Sequence, residues 1–205
     1  RGEMAKIIIC ALGLDDYAAG SSSFSDMAGH WSDKYVAYAV SLGIINGYPD
    51  NTFKADNTVS YDEAAKMLVA ALGYTEESLV GSWPVNWVTK AKVLGILDGI
   101  KAGSAGANRG DIAIMTYQTL DQEIGKVNKD GDFVTALTSV GTSDNMLTRL
   151  DASLFAPAVS YVTADNGIAG ASFVVTGDED SIISLKELQG ALVTAYANDD
   201  DEIIA

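Results

Sequence analysis

Between residues 32 and 42 the apolar side chains Tyr35, Val36, Ala39, Val40 and Leu42 recur at helical spacing and form one face, so the pattern predicts an amphipathic helix. Gly43 follows where a C-cap glycine belongs, and "YPDNTF" (48–53) brings Pro, Asp and Asn for a tight turn. A second helix is announced by Ser60-x-x-Glu63. In this capping-box pattern the hydroxyl accepts from a free backbone N–H and the carboxylate reaches back. "AAKMLVAALGY" continues it and Gly73 ends it. Asn108-x-x-Asp111 is a looser start signal before "IAIMTYQTL".

The pattern recurs. Laid over "YDEAAKMLVAALGY", the opening "RGEMAKIIICALGL" puts Ala5-Lys6 on Ala65-Lys66 and Ala11-Leu12-Gly13 on Ala71-Leu72-Gly73, without a gap. "HWSDKYVAYAVSLGIINGY" over "SWPVNWVTKAKVLGILDGI" puts Trp31 on Trp83, Tyr35 on Trp87, Gly43-Ile44 on Gly95-Ile96 and Gly47 on Gly99. "SYDEAAKM" meets "NRGDIAIM", with Met67 on Met115. The chain therefore reads as the second half of one unit followed by two full copies, each about fifty residues of helix, turn, loop and helix. Arg1-Gly2-Glu3 reads as a helix already under way, so a piece of a longer chain is expected.

From about residue 126 the texture changes. "FAPAVSYVTA", "ASFVVTG", "SIISL" and "ALVTAYA" are short apolar or alternating runs bounded by Asp, Asn and Gly, and they read as strands. "KELQG" reads as one helical turn, and "DDDEIIA" as a strand that continues further. The expected divisions are 1–22, 23–74, 75–125 and a β-rich module, 126–205.

Composition narrows the function. With 48% apolar residues among 205, the chain can bury a core. The net charge of −15 argues against nucleic acid as a partner, because phosphate repels such a surface. No apolar run approaches the roughly 18 residues that would span a bilayer. Cys10 is the only cysteine, which excludes an intrachain disulfide, and it reads as a buried small hydrophobe. His30 is the only histidine, and neither G-x-S-x-G nor a P-loop is present, so no enzyme is expected. "NKDGD" (128–132) and "NDDDE" (198–202) offer oxygen ligands of the calcium type, with charged turns as the plainer reading; no other cofactor is suggested.

The middle unit, "FSDMAGHWSDKYVAYAVSLGIINGYPDNTFKADNTVSYDEAAKMLVAALGY", resembles an S-layer homology (SLH) repeat along its whole length. The family pattern is F-x-D, H-W, an amphipathic helix, G-I-I-x-G-Y-x-D-x-x-F, then T-R-x-E opening a second helix. Residues 1–14 resemble the end of the preceding repeat, and residues 82–120 resemble the divergent third repeat of clostridial surface proteins. The resemblance implies a mixed fold: helix–loop–helix repeats in a pseudo-threefold helical bundle, followed here by the small β-rich module. It implies an extracellular protein of the bacterial cell wall or S-layer. It also implies grooves between repeats that bind secondary cell wall polysaccharide, often pyruvylated.

By the same resemblance Arg1 and Arg109 hold the family's Arg position and Asp26 its F-x-D acid. Trp31 and Trp83 hold the helix-one Trp, and Gly47 and Gly99 the turn glycine. The chemistry suits an acidic saccharide: an aromatic face for the ring, a planar guanidinium for the carboxylate. The bland alternatives are core aromatics, a capping Asp26 and a solvated Arg109. Arg1, Asp26 and Trp31 form the most complete expected groove. The middle repeat departs from the pattern at Tyr61, where the family has Arg, and the third lacks F-x-D. A structural alternative is an S-layer assembly unit that self-associates in a lattice, with calcium bridging acidic surfaces.

Overall fold

A computed structural model describes residues 1–103, 106–138, 141 and 143–150, together with the backbone of 152–161 and 192–198. The chain divides into two compact units, Arg1–Arg149 and Leu150–Ala205.

The first unit is helical. The helices are α1 (Gly2–Ala11), α2 (Asp33–Ser41), α3 (Tyr61–Ala71), α4 (Val85–Val93), α5 (Arg109–Tyr117) and the short α6 (Met146–Arg149). They alternate between two kinds, as the repeats require. α1, α3 and α5 are the second helices of their units; α2 and α4 are first helices. α2 packs on α1 and α4 packs on α3, while α3 also touches both α1 and α5. The buried faces follow the sequence pattern: Ile8, Ile9, Val36, Leu68, Val69 and Met115 are all fully enclosed.

The start and stop signals act as read. The Ser60 hydroxyl accepts from Glu63 N–H (3.1 Å), and the Glu63 carboxylate accepts from Ser60 N–H (3.0 Å). The Asn108 side-chain oxygen accepts from Asp111 N–H (2.9 Å), giving α5 a one-sided cap. Gly43 and Gly73 close α2 and α3 with φ of +73° and +100°.

Beyond α5 a hairpin of β1 (Gly125–Val127) and β2 (Phe133–Thr135) pairs antiparallel, with Lys126 opposite Val134. It belongs to the helical unit. Gly125 N–H donates to the Leu72 carbonyl (2.9 Å), and the Phe133 ring stacks on Tyr74 with centroids 4.1 Å apart. Ile124 N–H donates to Asp144 O (2.7 Å) and Asp144 N–H to Ala136 O (2.9 Å). Arg149 closes this region by donating to the Asp144 carboxylate from Nε (3.0 Å) and Nη2 (2.8 Å), while Met146 is fully buried beneath.

In the second unit β3 (Ala152–Tyr161) pairs antiparallel with β4 (Leu192–Asn198), with register shifts after Leu154 and Ala156. Helical repeats followed by a small β module are thus the observed architecture. The expected strands "ASFVVTG" and "SIISL" and the turn "KELQG" lie outside the described residues.

Candidate functional site

The N-terminal turns of α1, α3 and α5 meet in a ring. Numbered by the repeat, with Arg1 just ahead of α1 equivalent to Tyr61 and Arg109, the first position of each second helix reaches the third position of the next. Arg1 pairs with Glu63, the Tyr61 hydroxyl donates to Asp111, and Arg109 pairs with Glu3 (3.0 Å). Equivalent positions, three links, and three very different surroundings follow from what covers each link.

The Arg1–Glu63 link is enclosed. Its guanidinium lies over the rings of Tyr48 (4.6 Å) and Phe53 (4.8 Å), and Nε donates to Phe53 O (2.9 Å). The Arg1 side chain is only 6% exposed. Tyr48 OH donates a further bond to Glu63 (3.1 Å). Burial pushes the Glu63 carboxyl up, but the Ser60 N–H, the Arg1 charge and the bonds from Tyr48 and Arg1 outweigh it and leave the group below its ordinary value. At the Arg109–Glu3 link no turn among the described residues plays the part of Asn46–Tyr48, and Arg109 is 86% exposed. The Tyr61–Asp111 link carries no cation. That hydrogen bond, followed by burial, raises the Tyr61 phenol.

Asp26 stands on the far side of the 51–54 turn from Arg1. It accepts from Phe53 N–H (2.9 Å) and Lys54 N–H (2.7 Å), which draw its carboxyl down. It thereby fixes a turn in which Asn51 and Lys54 have φ of 59° and 58°. This turn presents the Phe53 carbonyl that orients Arg1. Asp26 and Arg1 are coupled through backbone and are not in contact.

Two concavities adjoin the ring. A cleft of about 310 Å³ is lined by Arg1, Asn46, Gly47, Tyr48, Glu63, Lys66, Glu76 and Trp83. That volume lies at the low end for small-ligand sites. Trp83 is 48% exposed there and offers a flat face. Lys66, halfway along α3, lies 5.8 Å over the Trp87 ring and 3.5 Å from the Ile44 carbonyl, at the long limit of a hydrogen bond. Burial lowers its ammonium pKa, partly countered by Glu76. The Glu76 carboxylate is itself taken by Asn86 Nδ2 (3.1 Å) and Trp87 Nε1 (3.3 Å). Lys66 is thus the cation in the cleft with the weakest internal partners.

The second concavity is a wider groove of about 1040 Å³ between α1 and α5, bordered by Trp31, which is 53% exposed, and by Arg109, Glu3 and Ile7. Arg1 borders both.

The residues singled out by sequence are therefore dispersed. Arg1, Gly47 and Trp83 share the cleft, Arg1 again with Trp31 and Arg109 shares the groove, and Asp26 and Gly99 line neither. At Gly47 a Cβ would penetrate the Phe24 ring, so the glycine is required by close packing inside the repeat. Gly99 has φ of +74° with open space beyond it. Lys66, Tyr48 and Glu76 were not singled out. The repeat of Lys6 at Lys66 was visible, but only as a marker of the repeat.

Among the described residues no group of three or more His, Cys, Asp or Glu could hold a metal ion. The 128–132 turn is closed by its own bonds: Asn128 Oδ1 accepts from Asp130 N–H and Asp132 N–H, both at 2.9 Å. Residues 199–202 lie outside the described residues. Cys10 is partly exposed, its thiol 3.6 Å from the Asp15 carboxylate, and its pKa is raised by burial and by that charge.

Residues 23–65, which hold Asp26, Trp31, Gly47 and the capping box, match the family model of the S-layer homology domain. The chain carries an S-layer homology domain. The chain is 33% identical over 153 residues to the middle cell wall protein of Brevibacillus brevis, a match covering 73% of this chain and 14% of that protein. It is 31% identical over 154 residues to the surface layer protein of Brevibacillus choshinensis, covering 73% of this chain and 13% of the relative. The cell surface protein of Thermoanaerobacter kivui is 24% identical, over 98% of this chain and 31% of its own length. The chain thus spans less than a third of each of these relatives. No solved structure matches it. The domain and the relatives place this chain among the extracellular SLH-domain surface proteins of the bacterial wall or S-layer. Among the described residues no helix is long and apolar enough to cross a membrane.

Proposed function

We propose that the SLH region binds an acidic secondary cell wall polysaccharide, such as a pyruvylated one, without catalysis, and that the Trp83–Lys66 cleft is where it binds. One observation carries the reading. An exposed indole face and a weakly engaged ammonium converge on one cleft in which Arg1 is paired with Glu63 and Glu76 is hydrogen-bonded by Asn86 and Trp87. A sugar ring stacks on Trp83, and Lys66 meets the carboxylate. Arg1, held by Glu63 and Phe53 O, acts as the fixed positive wall. Gly47 and Tyr48 form the turn beside it, and Asp26 steadies the 51–54 turn whose Phe53 carbonyl holds Arg1. Trp31 and Arg109 serve the wider groove, and Gly99 shapes a turn. The repeat divisions 1–22, 23–74 and 75–125 belong to the same reading.

Cosedimentation with purified wall sacculi tests it. Binding is expected, and it is lost when the secondary polysaccharide is stripped. Lys66→Met is expected to weaken binding at least about tenfold, the worth of one charge-assisted hydrogen bond. The variant's stability is expected to hold or rise, because a desolvated charge is removed. Equal binding to stripped walls, or full-strength binding by Lys66→Met, overturns the reading.

A further inference from the structure

Asn46 and Gly47 form an untied link between two tied ones. Before them, Ile44 N–H and Ile45 N–H both donate to the Ala39 carbonyl (3.0 and 3.4 Å), and after them Tyr48 N–H donates to Thr52 O (2.8 Å). Among the described residues nothing bonds the Asn46 side chain or the Gly47 N–H. Both residues lie outside helix and strand, and Asn46 is exposed, lining the cleft with Arg1, Glu63 and Lys66. The glycine that follows it is forced by packing. Its φ is not positive, but a Cβ there would run into the Phe24 ring. Phe24 in turn stacks on Phe53 (5.7 Å), whose carbonyl holds Arg1. The packing that requires Gly47 therefore leaves Asn46 chemically unprotected. An asparagine amide ahead of glycine is open to the next backbone nitrogen, because no Cβ shields the approach. Asparagine counts among the thermolabile residues.

We propose that Asn46 is a site of spontaneous deamidation, and that the carboxylate so formed closes the cleft to an acidic saccharide. The first step is a ring closure. The Gly47 nitrogen bonds to Asn46 Cγ, the Cγ–Nδ2 bond breaks, and Nδ2 leaves as ammonia with the Gly47 proton. Water then opens the imide. Addition at Cγ gives aspartate; addition at the main-chain carbonyl carbon gives isoaspartate, with one more methylene in the backbone. Either product puts a negative charge in the cleft. Lys66, whose internal partners are weak, then has a carboxylate beside it, and a saccharide carboxylate meets repulsion where it met attraction. Isoaspartate also lengthens the link that is packed against Phe24. The next unit carries the acid without the cation: Asp98-Gly99 stands at the Asn46-Gly47 position and Ile114 at the Lys66 position. An amide at 46 is thus matched to a lysine at 66, and deamidation undoes the match. The effect on binding rests on the Trp83–Lys66 cleft being the saccharide site; the chemistry at Asn46 does not.

Incubation of the folded full chain at mildly alkaline pH, followed over days by peptide mapping in a mass spectrometer, reads the conversion. The peptide that contains residue 46 is expected to gain the mass of an amide-to-acid change and to split into aspartate and isoaspartate forms. Cosedimentation with wall sacculi is expected to weaken in step. Asn46→Asp is expected to bind at least about tenfold more weakly than the unmodified chain, a loss on the scale of one charge-assisted hydrogen bond. Asn46→Gln, whose longer side chain would have to close a larger ring, is expected to hold its own starting level of binding throughout the incubation. An intact Asn46 in the folded chain, under conditions that convert a free peptide of residues 44–50, overturns the proposal and leaves the reading of the cleft untouched. Conversion with undiminished binding overturns the closure. Lys66→Met then separates the two readings: weakened binding by that variant keeps the saccharide in the cleft, and full-strength binding removes it.

Discussion

Glu3, Glu63 and Asp111 stand at the same place in three helices, and their surroundings set what each contributes. Glu63 sits beneath Tyr48 with a nearly enclosed arginine. Removing one partner of such a pair strands the other charge, which costs about 3–5 kcal/mol. Glu3 faces solvent beside an exposed arginine, a pair worth about 0–1 kcal/mol. Urea unfolding is therefore expected to show a large loss for Glu63→Ala and almost none for Glu3→Ala. The acid limb follows with its sign. The Glu63 carboxyl is depressed in the folded state, so its contribution is complete above the unfolded value of about 4.3 and is lost as pH falls through the lower folded value. Acidification below about pH 4 is expected to destabilise the wild-type chain more than Glu63→Gln.

At the level of elements, the ends of α2 and α3 look alike in sequence and differ in what lies beyond them. A Cβ at Gly43 would meet open space, so Gly43→Ala carries only the left-handed backbone cost of about 1–2 kcal/mol. A Cβ at Gly73 would run into the Gly125 carbonyl, whose strand is tied to Leu72. Gly73→Ala is expected to lower the thermal midpoint clearly further than Gly43→Ala, and differential scanning calorimetry of the two reads the difference. The helices, their caps and the repeat were legible because each is written in local spacing: the Ser60–Glu63 box, the Tyr35–Val36–Ala39 face, the terminal glycines. The partners were not. Arg1 and Glu63 are far apart in the chain, and the rule that joins them, first residue to third residue of the next unit, appears only once three helices surround one axis. Lys66 had the same limit, since its weak engagement depends on where Glu76, Asn86 and Trp87 come to rest. The link of β1–β2 to α3 rests on the Tyr74–Phe133 stack, which no periodicity announces.

Over the whole molecule, the chain divides into two compact units. A chain ending at Arg149 is expected to keep its helical far-UV spectrum and its cooperative unfolding transition, as circular dichroism can verify. Loss of the transition would show that the first unit depends on residues beyond it. A surface anchor must also bear tension. Force applied through the chain beyond Arg149 meets the Arg149–Asp144 clasp first. It then passes along the backbone bonds from Asp144 to Ile124 and from Gly125 to Leu72. Load thus enters the bundle at the C-terminal end of α3, while Arg1 and Glu63 are joined at the N-terminal end of the same helix. Under such a pull the hairpin region is therefore expected to yield at lower force than that ion pair, an order that single-molecule pulling from beyond Arg149 can check, with the ring as the last fuse.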